Sequence, residues 1–96
     1  MDLSQTTAMV VEKAANADAL GGSIKFAFNG GEGCVLIDAE NNVSTDDADA
    51  DCTINIDKDV FDAILTGDEN PIGAFMGGKM NVEGDMSLAM KLQSLF

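Results

Sequence analysis

Two cysteines, a run of aspartates and a cluster of methionines are the side chains here with the most chemical potential. Cys34 and Cys52 each sit inside a strand-like alternation with no neighbouring base, and the sequence contains no histidine. A reactive thiol needs a positive neighbour to hold it as thiolate, and two cysteines without histidine cannot complete a typical four-ligand zinc site. Both thiols are therefore read as buried and inert, with no disulfide expected in a cytosolic chain. Asp47, Asp49 and Asp51 have the spacing that opens a calcium loop. Cys52, however, stands where the sharp turn needs glycine, and Lys58 where the pattern needs a bidentate glutamate. That run reads as a solvated loop. Residues 30–33 and Gly77-Gly78-Lys79 lack the strand-to-helix frame of a phosphate loop. No catalytic residue, metal ligand or cofactor is assigned, and the sequence does not argue for an enzyme.

What remains is apolar. Met76, Met80, Met86 and Met90 are four of only six methionines, and all fall in the last quarter of the chain. Methionine is unbranched and polarizable, so it fills irregular space and adapts to ligands of variable shape. The elements that carry these residues can be read directly. Asn70 and Pro71 form a helix start, cap followed by first-turn proline. Ile72, Phe75 and Met76 continue it as an apolar stripe, and Gly77-Gly78 ends it. Residues 79–83 alternate as a strand, Gly84 breaks it, and Asp85 caps a last helix from Met86 to about Leu95. That helix has two apolar faces, with Met86, Ala89 and Met90 on one and Leu88, Leu92 and Leu95 on the other. Such a helix must cover something or be covered.

The segments NPIGAFMGGKMNVEGDMSLAMKLQ and ADCTINIDKDVFDAILTG resemble the signature of the sterol carrier protein type 2 (sterol-transfer) family, small lipid-binding domains. The likeness is close over residues 50–95 and holds in outline over residues 8–49. It implies a sheet whose helices enclose a hydrophobic tunnel. It also implies a lipid site carried by Phe75, Met76 and Met80 on the helix–strand wall and by Met86, Leu88, Met90 and Gln93 on the closing helix. Phe26 and Phe28 would supply the sheet floor, and Phe61 and Leu65 the helix above it. From pattern alone those stripes read as ordinary core; the resemblance is what turns them toward a ligand. Two departures stand out. The sequence stops at Phe96, which leaves the tunnel more open or plugged by Phe96 itself, and it is far more acidic than animal members of the family.

The rest of the chain fits the same plan. Residues 4–17 read as an amphipathic helix. Residues 23–28 alternate cleanly, Asn29-Gly30 begins a hairpin turn, and residues 34–38 return as a strand apolar on both faces and so expected to be covered on both. A short polar strand at residues 43–46 suits a sheet edge. Cys52, Ile54 and Ile56 give another alternation, and Asp57 caps a helix striped by Val60, Phe61, Ile64 and Leu65 and ended by Gly67. Strands followed by clustered helices predict an α+β domain. Specifically, the reading is a single five-stranded, mostly antiparallel sheet, covered on one face by helices enclosing a hydrophobic tunnel.

Ninety-six residues make one domain, residues 1–96. Seventeen acidic residues against five basic ones give a formal net charge of −12. A surface of that sign repels nucleic-acid phosphates and anionic membranes. No apolar run approaches a membrane span and no secretion signal is visible, so a cytoplasmic protein without stable membrane insertion is expected. The predicted function is non-enzymatic binding and transfer of one fatty acid, acyl-CoA or sterol-like lipid. The alternative is an interaction module that acts through an apolar groove beside a lipid-metabolising enzyme.

Overall fold

The computed structural model describes residues 2–19 and 21–91. A helix, α1 (Leu3–Ala15), precedes strands β1 (Ile24–Phe28), β2 (Cys34–Ile37), β3 (Val43–Ser44) and β4 (Cys52–Ile56). Helices α2 (Lys58–Thr66) and α3 (Pro71–Met76), strand β5 (Met80–Gly84) and helix α4 (Met86–Met90) complete the order. The strands form one sheet in the order β3-β2-β1-β4-β5. Every pairing is antiparallel except β1 with β4. Since β1 lies between β2 and β4, it separates the strands that carry Cys34 and Cys52.

Side-chain alternation decides which face is the core. Ile24, Phe26 and Phe28 pair in register with Cys52, Ile54 and Ile56, and Ile24 and Phe26 with Ile37 and Val35 on the other side. All eight are buried. The helices close over them with Val10 and Ala14 of α1 and Phe61, Ile64 and Leu65 of α2. The Phe61 ring lies 4.7 Å from that of Phe26 and 5.2 Å from that of Phe28, both tilted, a favoured geometry for aromatic pairs.

The opposite face corrects one expectation. Strand β2 is apolar on both sides, but among the described residues no helix covers its second side. Instead residues 45–51 cross there on the way to β4. The Cys34 thiol donates to the carbonyls of Thr45 and Asp46, Lys25 Nζ pairs with Asp47 at 2.9 Å, and Leu36 stays half-buried. Asp51 binds backbone with its carboxylate, accepting from Ser23 N–H, while its own N–H donates to the Ser23 hydroxyl. Asp47 and Asp51 thus fasten a crossing connection, and among the described residues no group of three metal-capable side chains converges.

Caps explain most helix limits. Asp2 and Gln5 form a reciprocal capping box that starts α1 at Leu3. The last turn of α1 is tied by Asn41, whose side-chain amide donates to the carbonyls of Ala14, Ala17 and Asp18. Asp57 occupies the cap position of α2 but makes no side-chain cap bond. Its carboxylate accepts instead from the Asn29 side chain in the β1–β2 turn. Gly67, at φ 85°, ends α2 in the left-handed conformation. Between α1 and α2 lies a buried polar link absent from the apolar-stripe reading. The Thr6 hydroxyl donates to Asp62 at 2.7 Å, and Lys58 Nζ reaches the other carboxylate oxygen at 2.9 Å.

Candidate functional site

The site is a wedge between α3, β5 and α4, and each wall is set by a local device. Asn70 accepts from the N–H groups of Ile72 and Gly73 and so starts α3. This short helix buries only Ala74. Its larger residues, Ile72, Phe75 and Met76, therefore remain outside the core. Gly78, at φ 73°, reverses the chain, with Lys79 N–H bonded back to the Ala74 carbonyl at 2.8 Å. Lys79 then pairs with Glu69 at 2.7 Å, tying the beginning of α3 to the beginning of β5. That ammonium, together with the Asn70 N–H, holds the Glu69 carboxyl below its ordinary range.

In β5, Met80 and Val82 pair with Ile56 and Ile54, so they point to the core side of the sheet. Gly84 ends the strand where the chain passes so close to the Asp51 carbonyl that a Cβ would collide with it. The next residue, Asp85, donates its N–H to that carbonyl and caps α4 by accepting from Ser87 N–H and Oγ. These bonds depress the Asp85 pKa, with the hydroxyl the largest cause.

Between the walls is a hollow of about 310 Å³ lined by Pro71, Ile72, Phe75, Met76, Met80, Val82, Met86, Ala89 and Met90. Its floor is Met80, 8% exposed, and its rim is Met76 at 80% and Met90 at 70%. No lining side chain titrates, and none carries a thiol, hydroxyl, amine or carboxylate. The two thiols lie elsewhere, and burial pushes both up from their ordinary pKa. What these walls offer a ligand is an apolar surface.

Comparison with known proteins agrees with that geometry. Residues 3–96 match the SCP-2 sterol transfer family. The chain belongs to the SCP-2 sterol transfer family. Human sterol carrier protein 2 is 40% identical over 76 residues, 75% of this chain but 14% of the human protein. The chain thus spans about one seventh of the length of that relative. Sterol carrier protein 2-like 2 of Aedes aegypti superimposes with a TM-score of 0.82 at 17% identity, covering 98% of this chain and 95% of the other. The Aedes aegypti sterol carrier protein-2 in complex with palmitate gives a TM-score of 0.74 at 24% identity, covering 97% and 94%. Those two likenesses establish the shared α+β fold, a five-stranded mixed sheet with helices.

Within this SCP-2 domain the anticipated lipid residues fall into two groups. Phe75, Met76, Met80, Met86 and Met90 converge on the hollow. Phe26, Phe28, Phe61 and Leu65 are buried in the core beneath and beside it and are not among its lining residues. Leu88 is buried at 5% exposure on the other side of α4. Gln93, like Leu92, Leu95 and Phe96, lies outside the described residues. Pro71, Ile72, Val82 and Ala89 line the hollow although none was singled out as a site residue. Three of them had a visible signal: Ala89 shares a helical face with Met86 and Met90, Ile72 shares the stripe of Phe75 and Met76, and Val82 stands two residues from Met80 on a strand.

Proposed function

We propose that this chain is a non-enzymatic, cytoplasmic carrier that takes one lipid tail, from a fatty acid, acyl-CoA or sterol-like molecule, into the α3–β5–α4 hollow. The observation that carries the reading is the rim. Met76, Met90, Met86 and Phe75 are 80%, 70%, 47% and 45% exposed, yet they surround a continuous apolar concavity. Large apolar side chains left around a hollow mark a place where apolar surface is meant to be covered. A tail that covers it gains about 0.8 kcal/mol per buried methylene, on the order of 10 kcal/mol gross for sixteen carbons. Immobilisation and ordering offset much of that gain, which leaves a carrier of moderate affinity and low head-group specificity. The hollow's about 310 Å³ is near the small end of ligand pockets, roughly 300–1,000 Å³, and suits one tail better than a two-chain lipid. Family membership and the palmitate held by the Aedes aegypti relative support the same ligand class. Two buried, unpaired cysteines suit a reducing compartment.

The test is uptake of a fluorescent sixteen-carbon fatty acid by the wild-type chain and by Met90→Glu. Met90 is 70% exposed, so the substitution leaves the fold nearly unchanged, within about 0.5 kcal/mol as for most surface changes. It nevertheless puts a carboxylate where the tail must enter. Uptake by wild type and its loss in a folded Met90→Glu support the carrier; equal uptake by both places the site elsewhere.

A second reading follows from the same exposure. If the open rim is a docking groove beside a lipid-metabolising enzyme, the chain takes up no free lipid and Met90→Glu abolishes partner binding instead. Direct uptake by the isolated protein separates the two.

A further inference from the structure

Four of the nine residues that line the hollow are thioethers. Met76, Met80, Met86 and Met90 all line it, whereas Met9 is partly buried against the core. Their exposures are graded, 80% and 70% for Met76 and Met90 at the rim, 47% for Met86 and 8% for Met80 on the floor. The thiols that would ordinarily compete for an oxidant are withdrawn. Cys34 and Cys52 are 6% and 0% exposed, and burial holds both toward the thiol form, whereas the thiolate is the reactive species. The most accessible oxidisable sulfur among the described residues is therefore the pair of rim thioethers.

We propose that Met76 and Met90 form a hydroperoxide-sensitive modification site whose oxidation lowers the affinity of the hollow for an apolar tail. This rests on the carrier reading. In the reaction a thioether sulfur lone pair attacks the distal oxygen of a hydroperoxide. The S–O bond forms as the O–O bond breaks, sulfur loses two electrons, and the leaving alkoxide or hydroxide takes up the hydroperoxide proton as alcohol or water. The product sulfoxide is polar, and it replaces a flexible apolar side chain. A tail entering the hollow must then strip water from the new S=O dipole without offering it a hydrogen bond, which is unfavourable. The fold survives, because neither rim side chain contributes to the buried core. The change is reversible, since methionine sulfoxide reductases restore the thioether.

The experiment treats the purified chain with hydrogen peroxide, maps sulfoxides by peptide mass, and measures affinity for a fluorescent sixteen-carbon fatty acid alongside circular dichroism. Among Met9, Met76, Met80, Met86 and Met90, Met76 and Met90 should oxidise first, and Met80 and Met9 last. Affinity should fall about tenfold, equivalent to about 1.4 kcal/mol, with secondary structure unchanged. Reductase treatment should restore it. In a Met76→Leu/Met90→Leu variant, peroxide should no longer alter affinity from whatever value that variant starts with. Full sulfoxidation at both positions with unchanged affinity overturns the proposal, as does oxidation of Met80 as fast as Met76. An untreated chain that binds no probe overturns both this proposal and the carrier reading, so the two failures are told apart by the untreated control.

Discussion

Leu88 rests on Gly22, with its Cδ1 only 2.7 Å and its Cδ2 3.1 Å from where a Cβ at position 22 would stand. The contact sets the rotation of α4. Leu88 is buried at 5% exposure, while Met86 and Met90, two positions before and after it, fall on the opposite side of the helix. A core contact on one side of a short helix thus aims two methionines into the hollow on the other. Gly22→Ala should overpack this point and cost about 1–3 kcal/mol, and it should reduce lipid uptake by turning α4. Leu88→Ala removes the colliding methyl groups, so the double variant should be more stable than the sum of the single changes predicts. Urea denaturation of the four proteins checks the coupling; strict additivity would mean that Leu88 does not seat on Gly22.

Stability and binding should separate by residue. Phe61 is fully buried between Phe26 and Phe28, and Phe61→Ala should destabilise the fold by about 3–5 kcal/mol. Phe75 is 45% exposed on the wall of the hollow. Phe75→Ala should leave the denaturation midpoint nearly in place and weaken fatty-acid binding severalfold. If instead Phe75→Ala unfolds the chain and leaves binding intact, α3 is a structural element alone.

Acid should loosen the α4 side of the site. Asp85 is depressed by its bonds to Ser87, Glu69 by Lys79 and Asp38 by the Asn42 backbone. A carboxyl with a lowered folded-state pKa stabilises the fold above its unfolded pKa of about 4, and that contribution is lost as pH falls through the folded value. Stability and lipid uptake should therefore be flat near neutrality and decline below about pH 4. Asp85→Asn retains an amide oxygen that can cap the helix but removes one titrating group, so its acid decline should be shallower than that of wild type. Circular dichroism and probe binding across pH 2–7 follow this (the range is roughly that of the carboxylates); an Asp85→Asn profile identical to wild type would contradict the role given to Asp85.

Head-group charge should bias binding at low salt even though the hollow itself selects little among head groups. The net charge of −12 opposes phosphate-bearing ligands, and Lys79 and Lys25 are already paired with Glu69 and Asp47. At low salt a sixteen-carbon acyl-CoA should bind more weakly than the matching alcohol. The gap should narrow as salt rises toward about 0.1 M, where screening acts over roughly 10 Å. Competition titrations at two salt concentrations measure it. Tighter acyl-CoA binding at low salt would reveal a cationic head-group site.

Much of this fold was legible because its signals were local. Asn70-Pro71, the Asp85 cap, the Gly67 stop and the alternation of Ile24, Phe26 and Phe28 each name an element without reference to distant residues. The parallel pairing of β1 with β4, the crossing of residues 45–51 over Cys34, and the diversion of Asp57 to Asn29 depend on contacts between residues far apart in sequence, which periodicity does not encode. The same division runs through the site. The two faces of the last helix were visible in sequence, and Met86, Ala89 and Met90 indeed meet the hollow while Leu88 meets Gly22. Phe26, Phe28, Phe61 and Leu65 could not be assigned to core or lining from sequence, since an apolar stripe looks the same whether its neighbour is a side chain or a ligand.

Native mass spectrometry of the gently purified chain, followed by organic extraction, tests the central claim most directly. The account predicts a fraction of molecules carrying one lipid at unit stoichiometry, stripped by extraction and absent from Met90→Glu prepared in the same way. A clean unliganded mass for both proteins, together with no uptake of added fatty acid, would contradict it.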